Sequence, residues 1–258
     1  MSAESCAPGV ALLLLGEVCV LTGNSRKLPL SPNLKTGDEY NTTCLRFYFS
    51  RKGSLIYIAH LDMLRLFERA LIRSGLSYAS SQGFNPRPLI VFALPVGIGV
   101  AVERDLIEIT FIGEIDPEYA IIALNVSLPE DISIVSAAIA PVRSKSIMAL
   151  VRRAEYVFIS KDIAAIMRSA LKSRELPVDK ISGGRKQTID IKPLIIDAAS
   201  EGPDMLKVVF CAGSKNNLRP DLFLRSLRDF GLTEEAALDT KIIRTGIILE
   251  EEIQEDRK

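Results

Sequence analysis

The sequence predicts an α+β fold: two tandem ferredoxin-like units with antiparallel sheets, their helices on one face. Three observations carry this. Apolar residues alternate with period two in several short segments, as half-buried strands do. Between them, apolar residues recur at helical spacing. The order strand, helix, strands, helix, strand then occurs twice, in residues 44–142 and again in 143–252.

In LRFYFS (45–50), Leu45, Phe47 and Phe49 alternate with Arg46, Tyr48 and Ser50, which makes a strand with one buried side. HLDMLRLFERALIRSG (60–75) repeats Leu61, Leu64, Phe67 and Leu71 at helical spacing and stops at Gly75. LSYASS (76–81) reads as a second strand. PLIVFALP (88–95) is apolar throughout, as a strand covered on both faces would be. DLIEITFIG (105–113) alternates again. Asp116-Pro117 opens a helix over EYAIIALNVSL (118–128), and ISIVSAAIA (132–140) closes the unit. The boundary falls near PVRSKSIMALVRR (141–153). In the second unit, EYVFIS (155–160), QTIDIKPLIIDAA (187–199), MLKVVFCAG (205–213) and KIIRTGIILE (241–250) read as strands. KDIAAIMRSALKS (161–173) and PDLFLRSLRDFG (220–231) read as helices, and residues 253–258 as a tail.

Lys plus Arg equals Asp plus Glu at 32 each, so overall charge draws the chain to neither nucleic acid nor membrane; any such attraction is local. Cys6, Cys19, Cys44 and Cys211 form no C-x-x-C pair, which points to reduced thiols and a cytoplasmic protein without a structural metal. Residues 1–43 differ from the rest and read as a disordered leader or linker. Their apolar run, VALLLLG (10–16), is too short to span a bilayer and lacks the positive charge that precedes a secretory signal. The chain has no phosphate-binding P-loop, no G-x-S-x-G elbow, and no visible nucleophile set.

Several polar groups are candidates for binding. Asp62, Arg65, Arg69 and Arg73 fall along one face of the first predicted helix. They form either a solvated face or a row of guanidiniums suited to phosphate oxygens. His60, the only histidine, sits at the start of that helix, either packed there or acting as a proton shuttle. In SSQGFNPRP (80–88), Gly83 opens backbone conformations closed to other residues, while Pro86 and Pro88 stiffen the chain. Gln82, Phe84, Asn85 and Arg87 are thereby held in place: amides, an aromatic face and a guanidinium, the groups that recognise an unpaired base and its phosphate. GSKNNLRPDLF (213–223) offers caps and charge, including Lys215 and Arg219; in IRTG (243–246), Arg244 and Thr245 precede a glycine inside a strand.

The block HLD…FERAL…SQGFNPRP, followed by SKSIMALVRRAEY, IDIKPLIID, AGSKNNLRPD and IRTGIILE, resembles the radical-SAM-associated domain family, a domain of unknown function. The resemblance covers about residues 44 to 250. It implies a protein that accompanies a separate radical S-adenosylmethionine enzyme, with the iron–sulfur cluster and S-adenosylmethionine on that partner and no cofactor in this chain. It marks His60, Asp62, Gln82, Phe84, Asn85, Arg87, Asp190, Arg219 and Arg244 as motif positions. Ile243 departs from the pattern, since similar proteins often carry His before Arg-Thr-Gly. The leading expectation is an accessory protein that binds RNA (tRNA or rRNA) or substrate for RNA modification. An RNA-processing or RNA-modifying enzyme using His60 as acid or base, and a pure protein-docking module, stay open beside it.

Overall fold

The structure is a computed structural model, and it describes residues 41–141, 145–182, 184–214 and 216–255. Residues 1–40, which include most of the expected leader with Cys6 and Cys19, lie outside the described residues, as do 142–144 of the expected boundary and Lys215.

Strand β1 (Thr42–Arg51) follows its alternation, with Leu45, Phe47 and Phe49 buried. Helix α1 (His60–Ser74) ends at Gly75, whose φ of 72° a glycine adopts without steric cost. It is followed by the short strand β2 (Ile90–Phe92), the long strand β3 (Val100–Ile112), helix α2 (Pro117–Ser127) and strand β4 (Ile132–Ile139). Asp116 caps α2 by accepting from the Glu118 N–H, and Pro117 takes the first turn, where its missing N–H is not needed. The second half runs through α3 (Ile147–Leu150), β5 (Val151–Ile159), α4 (Ile163–Lys172), the hairpin β6 (Pro177–Ser182) and β7 (Arg185–Asp190), and β8 (Ile195–Ser200). It ends with β9 (Met205–Cys211), α5 (Pro220–Ser226), α6 (Glu234–Asp239), β10 (Lys241–Leu249) and α7 (Glu250–Glu255).

Where the sequence points to one sheet in each unit, strands of both halves join among the described residues in a single eight-stranded sheet, in the order β4-β1-β3-β10-β5-β9-β8 with β2 also on β3, beside the two-stranded sheet of β6 and β7. Every pairing is antiparallel except β3 with β10. β1 takes one edge of β3; the other edge is shared by β10, over Val100–Val102, and β2, over Ile107–Ile109. Between the pairs Phe49–Asp105 and Arg51–Val102, β1 advances two residues and β3 three. This bulge puts Asp105 and Val102 on one face, although one residue number is odd and the other even. Paired residues share a face. The buried side therefore runs from Phe49 and Arg51, through Val102 and Arg244, to Tyr156 and Val208.

On that side α1 and α2 bring Phe67, Leu71 and Leu124 against Phe47, Phe49 and Phe92. The second core gathers Phe158, Phe210 and Phe223 with Met167, and it includes Ala93, Leu94, Val96 and Val100 from the first half. One apolar segment thus enters its neighbour's core, which joins the halves by burial as well as by strand pairing.

Four predicted elements come out differently. Residues 76–81 make only single bridges, Tyr78 to Phe111 and Ser80 to Pro88. Of 88–95, only Ile90–Phe92 is strand. The run 187–199 breaks at a turn of 3₁₀ helix around Pro193, which can give no ladder hydrogen bond. The predicted helix 220–231 stops at Ser226 and resumes as a single turn before Gly231.

Candidate functional site

The loop carrying Gln82, Phe84, Asn85 and Arg87 closes at its neck. The Ser81 N–H donates to the Arg87 carbonyl at 2.8 Å, and the Arg87 N–H donates to Ser81 Oγ at 3.1 Å. Gly83 makes the turn at φ 141°. Gln82, Phe84 and Asn85 stand out in solvent, Phe84 completely so. Arg87 turns back toward α1, where its Nη1 lies 3.8 Å from Glu68 Oε1. The same helix carries the arginine row. Arg65 pairs with Asp62 at 3.0 Å, and Arg73 donates to the Ser127 carbonyl at 2.6 Å. Arg69 has no ion-pair or hydrogen-bond partner among the described residues. These four line a groove of about 470 Å³ floored by Leu55, Leu66, Leu128 and Pro129. Three guanidiniums against one carboxylate make it locally positive.

Arg244 and His60 lie elsewhere, at the seam between the halves. Arg51 and Arg244 are 0% and 1% exposed. Arg244 pairs with the buried Asp105 carboxylate and donates to the Leu94 carbonyl at 2.9 Å and the Pro95 carbonyl at 3.4 Å. Arg51 pairs with no carboxylate among the described residues; it donates to the carbonyls of Gly97 (2.8 Å) and Val100 (2.6 Å). The Nε of each arginine is buried without a hydrogen-bond partner among the described residues. Burial, with Arg244 nearby, pushes Arg51 down to about 10, so it remains charged at neutral pH. Burial raises the Asp105 carboxyl against the pull of Arg244, while Asp105 and Tyr156 more than offset burial for Arg244 itself. His60 packs edge-on against Phe92, ring centroids 5.1 Å apart, and burial lowers its pKa.

These arginines explain why the apolar run does not stay a strand. Past Phe92, its carbonyls turn inward onto two guanidiniums from neighbouring strands. The segment so held forms one wall of a cavity of about 460 Å³, with Asn217, Arg219 and Ile242 on the other side and Tyr156 in the lining. Arg219 is held by Asp221 through Nε and Nη2, at 2.8 and 2.6 Å. Asp190 stands apart: its Oδ1 accepts from the N–H groups of Leu176 and Lys192, fastening the base of the β6–β7 hairpin.

The candidate positions therefore fall into two groups and one outlier. Asp62, Arg65 and Arg69 share α1 with the loop of Gln82, Phe84, Asn85 and Arg87; His60, Arg219 and Arg244 gather at the seam. Arg51, Asp105, Tyr156 and Glu68 are parts of these sites that spacing alone did not single out. Cys211 is a free thiol, and no group of His, Cys, Asp and Glu among the described residues could hold a metal ion. No helix among them is long and apolar enough to cross a membrane.

Residues 45–220 match the family model described as "Uncharacterized protein conserved in bacteria (DUF2344)", and the chain belongs to that family. No curated protein matches the chain.

Proposed function

We propose that this member of the family is a non-catalytic accessory protein that binds RNA, or a substrate carried on RNA, for a separate radical S-adenosylmethionine enzyme in the cytoplasm. The observation that carries the binding surface is the ion pair between Arg87 and Glu68. It ties the stiff loop to the helix bearing Arg65, Arg69 and Arg73, so an exposed aromatic ring and several guanidiniums sit on one surface. Phe84 offers a face on which a base stacks, and the arginines offer forks for phosphate oxygens. The link to a radical enzyme rests on the motif resemblance, which places the cluster and S-adenosylmethionine on the partner. We also read each half as a ferredoxin-like unit; the orders β4-β1-β3-β2 and β10-β5-β9-β8 support this.

The test is binding of fluorescently labelled bacterial tRNA and rRNA fragments, followed by anisotropy. The protein binds, and the double variant Arg65→Ala, Arg87→Ala loses about tenfold or more in affinity, since charge-assisted contacts to phosphate are removed. Equal binding by variant and parent, with both folded, rules the surface out.

A further inference from the structure

We propose that the seam cavity is a binding site for a small organic anion: one carboxylate or phosphate head on an apolar body. The site is separate from the RNA surface and does not depend on it.

Its wall is built so that carbonyls face away from the cavity. Arg244 takes the carbonyl of Pro95, and Arg51 takes that of Gly97. In a planar trans peptide the N–H points opposite to the C=O. The N–H groups of Val96 and Ile98 therefore point away from the guanidiniums, and both residues line the cavity. Neither N–H donates to another backbone carbonyl among the described residues. Two donors thus face a space whose opposite wall supplies the Asn217 amide and Arg219. Asp221 occupies two of the Arg219 nitrogens and leaves Nη1 outside that pair.

Charge agrees with the donors. Behind the wall lie two buried guanidiniums and one buried carboxylate, Asp105, so one positive charge is not matched by an acid. In a poorly solvated place such a charge acts over several ångströms and favours an anion on the near side of the wall. The lining also holds Tyr156 and Asp221, whose carboxylate is taken up by Arg219, and is otherwise mostly apolar: Leu94, Val96, Ile98, Leu218 and Ile242. The volume of about 460 Å³ falls within the range of small-molecule sites. A charged head near the two N–H groups and an apolar body along these side chains fit this distribution.

Titration calorimetry of the full chain with octanoate, octyl phosphate and octanol tests the proposal. At least one of the two anions binds saturably below about 1 mM, and octanol binds at least about tenfold more weakly. The tighter anion identifies the head group. Asn217→Asp, nearly isosteric, adds a carboxylate to the lining; it weakens the bound anion about tenfold or more and leaves octanol unchanged. Ile98→Glu, at an exposed position, makes the same prediction and serves if Asn217→Asp fails to fold. Equal affinity for octanol and the anions, no saturable binding, or indifference to a folded acidic variant overturns the site.

Discussion

Arg51 and Arg244 head the largest fully buried side chains among the described residues, ahead of the core phenylalanines. Burying a guanidinium costs several kcal/mol unless its donors are met. Here one carboxylate and a set of inward-turned carbonyls meet most of them. The alternation of the strands already contained this. Arg51 continues the buried series Leu45, Phe47, Phe49, and Asp105 begins the buried series Ile107, Ile109, Phe111. A charge on the apolar phase of a strand signals an internal partner, which motif spacing cannot show. His60 belongs to the same neighbourhood, near the charges of Asp105, Arg244 and Arg51. Burial lowers its pKa in the folded state, so the unfolded chain binds more protons just below the ordinary value of about 6.5. Stability from the neutral imidazole is present above that value and is lost as pH falls below it. Urea denaturation from about pH 7.5 to about pH 5.5 checks this: the parent loses stability relative to His60→Gln as pH falls. A constant or widening advantage for the parent contradicts it.

At the scale of elements, β4 is an edge strand with no charged side chain, and exposed Val135 and Ile139 lie along it. Such an edge invites pairing with another chain. Asn125 of α2 blocks part of it: its Nδ2 donates to the Ile134 carbonyl at 3.0 Å, and its Oδ1 accepts from the Ile134 N–H at 2.7 Å. Asn125→Ala removes both bonds, and thermal or urea unfolding registers a loss of about 1–3 kcal/mol; a change within a few tenths of zero contradicts the assignment. The helix α1 was legible from its apolar spacing and the stop at Gly75, and α2 from the cap Asp116 with Pro117 behind it. Strand β6 was not, because among its described side chains Val178 alone is buried, too little for an alternating apolar phase. Residues 187–199 read as one strand because their apolar content outweighed Pro193, the residue that breaks them. The register that merges two sheets into one was not legible either: the parallel pairing of β3 with β10 joins segments about 140 residues apart and leaves no local pattern.

For the whole molecule, zero net charge means that any affinity for RNA comes from arrangement rather than total charge. The helical side carries the arginine row and the exposed loop together; the seam holds Arg51 and Arg244 buried, where they shape a wall and cannot reach RNA. The motif list merged these two sites, because residues spread over the chain carry no sign of which face they share until the sheet register is known. The most direct test of the RNA-binding claim is the salt dependence of affinity for single-stranded RNA, since each phosphate neutralised contributes about 0.7 to the slope of log affinity against log salt. The parent shows a clear negative slope, and Arg65→Ala, Arg69→Ala makes it shallower by about 1.4. A flat parent slope, or an identical slope in the folded variant, contradicts the claim.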